Sequence, residues 1–264
     1  MPMNRLILAL SLATVPFGAI AQTATNVPAA TPATAAAQKT AKLPEPASPT
    51  TPDNTRYLKS SGGIRTCEAR LTALQGKPCD IIFIGDSITA HWSGSGHDVW
   101  EKDYAPRHAL NFGIGGDKTQ NVLWRLDNMN VKAVRPKVAV ILIGTNNIVN
   151  TPDEIAAGVK AVITKTQSTF PGVKIILVSI MPNGRAENKM MAADAIIKNY
   201  ADDKSVYYLD LVPFMPPVTT TLPNGKTDTN WKGLGKDHLH PDASGYQIWA
   251  DAMDPLLAKL LAGG

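Results

Sequence analysis

The chain has 264 residues, 44% of them hydrophobic and 18% charged, with a formal net charge of +4. That is enough to bury the core of one sizeable domain. The lysines and arginines are scattered, so the run or stripe of positive charge that a nucleic-acid surface needs is missing.

The chain begins MPMNRLILALSLATVPFGAIAQ. A basic Arg5, an apolar run from Leu6 to Ile20 and the triplet Ala19-Ile20-Ala21 have the anatomy of a cleavable secretory signal, residues 1–21, cut after Ala21. The run is short for a membrane anchor and is interrupted by Pro16, so no stable span is expected after cleavage. No cysteine follows the cut site to carry a lipid. The mature protein is therefore expected in the periplasm or outside the cell. Residues 22–53 are rich in Ala, Thr and Pro and have too little to bury to offset their ordering entropy. They read as a Pro-stiffened disordered linker before a domain over 54–264. The two cysteines, Cys67 and Cys79, suit a disulfide in an oxidising compartment, or simply two small buried residues.

Short apolar runs then alternate with helical patterns. Strands are expected at Asp80–Ile84, Ala109–Phe112, Lys137–Ile143, Val173–Ser179 and Val206–Leu209. Thr119–Asn128 reads as a short helix. Thr151-Pro152-Asp153-Glu154 is a capping box with proline at the first helical position, and Ile155, Val159, Val162 and Ile163 form the apolar face behind it. Further helices are expected over 186–201 and 243–261, the last one broken at Pro255. Continuous apolar strands alternating with helices make an α/β fold, a parallel sheet covered on both faces. In such sheets the working groups collect beyond the carboxyl ends of the strands.

The residues there are Gly85-Asp86-Ser87, Gly113-Ile114-Gly115-Gly116-Asp117, Gly144-Thr145-Asn146-Asn147 and Ser179-Ile180-Met181-Pro182. A serine is a nucleophile only beside a base held in the right tautomer. Near the C-terminus GKDHLHPD supplies Asp237 and His240, three apart, as orienter and base for Ser87. Donors for an oxyanion are available from the backbone of Ser87 and Gly116 and from the Asn146 amide. Each residue also has a bland role: Ser87 as a helix cap, Gly116 and Asn146 as turn formers, and the Asp237–His240 segment as a polar loop before a helix capped by Asp242. Asp237, His238 and His240 form a minority metal reading without a third imidazole.

These blocks, in this order, resemble the SGNH (GDSL) hydrolase superfamily. Gly85-Asp86-Ser87-Ile88-Thr89 matches the nucleophile block, Asn111 to Asp117 the glycine block, Gly144-Thr145-Asn146-Asn147 the asparagine block, and Asp237-His238-Leu239-His240 the last. HALNFGIGGDKTQNVLWRL is especially similar to the catalytic-subunit family of platelet-activating-factor acetylhydrolase Ib. The resemblance implies a three-layer α/β/α, flavodoxin-like fold with a central five-stranded parallel sheet. It also implies Ser87 as nucleophile, His240 as base, Asp237 as its orienter, an oxyanion hole of Ser87, Gly116 and Asn146, and no metal or cofactor. The G-x-S-x-G elbow of the α/β-hydrolases is absent.

The expected substrate is a short-chain ester, acetyl first, on a carbohydrate or another small extracellular molecule. A lysophospholipase or thioesterase on the same scaffold is the alternative. A silent carbohydrate-binding domain is disfavoured because all four chemical blocks are intact. The loop 211–236 is the longest, and Trp92, Phe214 and Trp231 are candidates to line a shallow cleft or to pack internally.

Overall fold

Successive residues of a strand face opposite sides of its sheet, and both sides here are apolar. The structure, a computed structural model, describes residues 48–263, so the signal segment and most of the expected linker lie outside the described residues. Five parallel strands form the central sheet: β1 (Ile81–Gly85), β2 (Ala109–Gly113), β3 (Val138–Leu142), β4 (Lys174–Val178) and β5 (Val206–Leu209). Their order, β2-β1-β3-β4-β5, is that of flavodoxin-like domains and reverses direction beside β1.

Ile82, Ile84, Leu110, Phe112, Ala139, Ile141, Ile175 and Leu177 turn to one face. They meet α2 (Gly62–Ala73), α5 (Thr119–Asn128), α6 (Pro152–Thr169) and α7 (Glu187–Ile197). Ile81, Phe83, Val138, Val140, Leu142, Ile176 and Val178 turn to the other face, against α8 (Ala243–Leu261) and a cluster of Trp92, Trp100, Tyr104, Tyr246 and Trp249. The cluster follows the short α3 (Ser87–Ala90) and α4 (His97–Val99), which passes into a π-helical turn over Trp100–Tyr104. A single turn of helix, α1 (Thr55–Lys59), precedes α2.

The capping box forms as expected: Glu154 N donates to Thr151 Oγ1 at 3.3 Å, and Thr151 N to Glu154 Oε2 at 2.8 Å. Four expectations need correction. Residues 211–236 are not all loop, because Pro217–Thr221 (β6) and Thr227–Trp231 (β7) pair as an exposed antiparallel hairpin. α8 continues through Pro255, and the helix over 186–201 ends at Ile197 in a 3-10 turn. Of the two roles open to Trp92, internal packing is the one it takes, fully buried among aromatic rings, whereas Phe214 is exposed.

The fourth correction concerns the cysteines, which are free, buried thiols. Cys67 Sγ lies 3.9 Å from the carbonyl of Gly113, and Cys79 Sγ lies 3.5 Å from that of Ile81. β1 and β2 pair with Ile81 opposite Ala109 and Gly85 opposite Gly113, so the two sulfurs sit at opposite ends of the strands. At ~3.3 Å per residue that is a separation of ~13 Å, far beyond the reach of a disulfide.

Residues 48–53 of the expected linker lie against α5. Thr119 Oγ1 donates to Pro49 O at 2.8 Å, and Asn121 Nδ2 to Asp53 O at 2.9 Å.

Candidate active site

β1 delivers Ser87 through a turn that only glycine permits. A Cβ on Gly85 would stand 2.3 Å from the carbonyl oxygen of Leu142 and 2.1 Å from Thr89 Oγ1. Asp86, not Ser87, caps the helix that follows: its Oδ1 accepts from Ile88 N at 2.9 Å. Ser87 is thus released from capping and occupies the first position of α3.

The loop after β2 lies beside it, a Cβ on Gly115 falling 3.8 Å from Ser87 Cβ. Gly116 has φ +75°, in the left-handed region that favours glycine. Among the described residues, no protein acceptor takes the backbone N–H of Ser87, Gly115 or Gly116. Three backbone donors are therefore unspent, one at Ser87 and two in the glycine loop beside it.

Asn146 follows β3 and ties the neighbouring loops together. Its Nδ2 donates to the Asp117 carbonyl at 3.0 Å and to Asp86 Oδ2 at 3.2 Å. Both amide hydrogens are engaged, so donation to a ligand requires one of these contacts to be given up. Asn147 faces inward instead, accepting from Thr119 N at 3.1 Å and donating to Gln120 Oε1 at 3.1 Å. It fastens the asparagine loop to α5.

The loop before α8 brings the imidazole. Asp237 Oδ1 accepts from the amides of Leu239 and His240 at 3.1 and 3.0 Å, and Asp237 Oδ2 pairs with His240 Nδ1 at 2.5 Å. His240 Nε2 then meets Ser87 Oγ at 2.8 Å. Partial burial raises the Asp237 pKa, but the His240 ring and the two loop amides outweigh it and hold the carboxyl below its ordinary value. A charged carboxylate on one ring nitrogen leaves the other free to take a hydroxyl proton. Asp242 caps α8 as expected, accepting from Gly245 N at 3.0 Å. The metal reading does not hold together: His238 turns away to Asp228, with Nε2 3.3 Å from Oδ1, and does not join Asp237 and His240.

Two groups at the site were not identified from the sequence. Beneath the glycine loop, Arg125 and Asp117 pair at 2.9 Å with both side chains fully buried. Arg125 also donates to the carbonyls of Phe112 (2.6 Å) and Gly85 (3.2 Å), locking the ends of β2 and β1 together. Tyr57 OH donates to the same carboxylate at 2.7 Å. An amphipathic pattern puts charges on the wet face of a helix, so nothing in the periodicity marks Arg125 as buried. The second group is His91, whose ring centroid lies 4.7 Å from that of His240. Its spacing of four residues from Ser87 at a helix start was the available signal.

A 2-1-3-4-5 sheet with a serine, an imidazole and a carboxylate in series beyond β1 defines the class: an α/β/α hydrolase of the SGNH type. Residues 83–248 match the GDSL-like Lipase/Acylhydrolase family, and the chain belongs to it. It is 30% identical over 191 residues to platelet-activating factor acetylhydrolase IB subunit alpha1 of Rattus norvegicus, covering 70% of this chain and 78% of that one. The alpha2 subunit of the same species is 40% identical over 119 residues, which is 45% of this chain and 51% of that one. A GDSL-like lipase from Bacteroides thetaiotaomicron superposes with a TM-score of 0.60 at 20% identity, covering 75% of this chain and 98% of that one. It shares the fold.

Proposed function

We propose that this chain is an exported serine esterase that hydrolyses short-chain esters, acetyl esters first, on carbohydrate or similar small extracellular acceptors. The observation that carries the reading is the unbroken series Asp237 Oδ2–His240 Nδ1 and His240 Nε2–Ser87 Oγ, at 2.5 and 2.8 Å.

Ser87 Oγ attacks the ester carbonyl carbon as His240 Nε2 takes its proton, while Asp237 stabilises the imidazolium. The negative oxygen that develops is met by the free N–H groups of Ser87 and Gly116. Asn146 adds its amide by releasing its longer contact, the one to Asp86 at 3.2 Å. Collapse breaks the ester C–O bond, and His240 returns the proton to the departing alcohol. Water, deprotonated by the same imidazole, attacks the acyl-serine, releasing the acid and restoring Ser87.

The short acyl preference is supported by the acetylhydrolase relatives and by the openness of the site, where the Asp237 and His240 side chains are 52% and 21% exposed. Export is supported by the signal pattern of residues 1–21. The test is hydrolysis of a p-nitrophenyl ester series by the mature protein, with acetylated polysaccharides assayed for released acetate. Acetate esters should be the best substrates. A maximum at medium or long acyl chains would instead favour a lysophospholipase or thioesterase. Sequencing of the exported product should find Gln22 at its N-terminus.

A further inference from the structure

We infer that His91 is a positioning residue for His240: its imidazole is the side wall that keeps the His240 ring seated on the Ser87 hydroxyl. The inference rests on the reading of Ser87 and His240 as nucleophile and base.

The two hydrogen bonds of His240 grip its two nitrogens, at Asp237 and at Ser87, and leave the ring free to rock about the line between them. That rocking needs a lateral stop, because one of the two anchors, Asp237, is half exposed on a loop. His91 stands where the stop is required. The two rings are 4.7 Å apart between centroids and inclined at 43°, a tilted aromatic contact.

The wall is firmly founded. His91 closes the same short helix that begins at Ser87, and its N–H donates to the Ser87 carbonyl. Its own carbonyl accepts from Gly94 N at 2.8 Å and Gly96 N at 3.0 Å, and the next residue, Trp92, is fully buried in the aromatic cluster. Nucleophile and wall are thus parts of one rigid turn, and the base closes against both. Neither ring nitrogen of His91 has a hydrogen-bond partner among the described residues, so its contact with His240 is made by ring surface alone.

Charge fits this role. Partial burial lowers the His91 pKa, and the neighbouring His240 lowers it further against the opposing pull of Asp237. His91 is therefore neutral at neutral pH and does not oppose the imidazolium that forms on His240 during acyl transfer. Small displacements of a reacting group are costly, and a loosened base should slow the chemical step without weakening substrate binding.

The experiment compares His91→Ala, His91→Gln and His91→Phe with wild type and Ser87→Ala in the mature protein. It measures kcat and KM on p-nitrophenyl acetate, thermal midpoints, and the low-field proton NMR signal of His240 Nδ1–H. His91→Ala and His91→Gln should lower kcat roughly tenfold with KM within about twofold. His91→Phe, which restores a ring face, should recover most of the loss. The low-field signal should be sharp in wild type and His91→Phe and broadened in His91→Ala and His91→Gln. Wild-type kcat in His91→Ala would overturn the inference, as would a loss confined to KM. Equal losses in His91→Ala and His91→Phe at unchanged thermal midpoint would also overturn it, since the imidazole rather than its ring face would then matter. Should Ser87→Ala keep wild-type turnover, or wild type show none, it is the esterase reading that fails. The NMR signal then decides for His91 by itself, and an unbroadened signal in His91→Ala removes it.

Discussion

Ser87 and the glycine loop stand on buried charge, whereas His240 and Asp237 ride on a loop open to water. Asp117 and Arg125 beneath the first half are 0% exposed at the side chain, while Asp237 in the second is 52% exposed. The first half is bound into the sheet itself, Arg125 holding the carbonyls of Gly85 and Phe112. The second is held by contacts within 235–242, by Gly184 N and the Asn230 amide, which donate to the carbonyls of His238 and Gly235, and by the ring of His91. Donors that meet developing charge are effective only if they are already in place, so their rigidity is a catalytic requirement. In the proposed mechanism the imidazole must both take and return a proton, and it is served by a carboxylate that keeps its tautomer, which solvent weakens but does not abolish.

The sharpest way to break this contrast is at Ser87, the proposed nucleophile. Ser87→Ala should reduce turnover by roughly 10⁴-fold or more while leaving the thermal midpoint near that of wild type, since Asp86 does the capping. Asp237→Ala should be milder by about 10²-fold, because the imidazole it orients keeps other contacts. A loss equal to that of Ser87→Ala would show that the exposed half is as stringent as the buried one. Arg125→Met strikes the foundation, leaving the Asp117 carboxylate buried with Arg56 and Tyr57 alone. Urea unfolding should then report a loss of about 3–5 kcal/mol. A near-neutral result would mean that the buried pair does not secure the strand ends.

The same contrast explains what could be read in advance. Strand runs such as KVAVILI and the Thr151–Glu154 capping box declare themselves by local pattern, and both are where the sequence placed them. Ser87, Asn146, Asp237 and His240 could be singled out because each stands beside a recognisable turn or strand end; hydrogen bonds join Asp237, His240 and Ser87 in series and Asn146 to Asp86. Gly116 follows Gly115 in the loop beside Ser87, its Cβ direction filled by the guanidinium of Arg56. The burial of Arg125 and the separation of Cys67 from Cys79 were not legible, since each depends on strand register or on which side of a helix packs inward, and His91 offered only its spacing from Ser87. Packing was already one of the two roles open to Trp92, but not its partners: Tyr104, Tyr246 and Trp249 come from other parts of the chain.

Asn146 lies between the two halves and sharpens the comparison. Asn146→Ala removes a donor and also the link from the Asp117 carbonyl to Asp86. It should lower kcat by about 10²-fold. Wild-type kcat in this variant would leave the oxyanion to the backbone amides alone.

A separate pH dependence comes from Asp86, the one buried carboxyl of the site without a cationic partner in contact. Burial, assisted by the charge of Asp117, pushes its pKa up to about 7 despite the hydrogen bond from Ile88 N. The unfolded chain releases that proton near pH ~4, so between about pH 4 and 7 the native state binds more protons than the unfolded state. Stability attributable to Asp86 therefore falls as pH rises through this window and levels off above it. Carboxylates with depressed values, such as Asp80 and Asp237, act in the opposite sense and would mask the slope in wild type alone. Asp86→Asn isolates it, because the variant keeps the shape and lacks the titration. Relative to the variant, wild type should lose stability with a limiting slope of about 1.4 kcal/mol per pH unit, and the two curves should run parallel at higher pH. Urea midpoints that stay parallel across the whole range would place the Asp86 carboxyl at its ordinary value, and the buried half of the site would be wetter than its packing indicates.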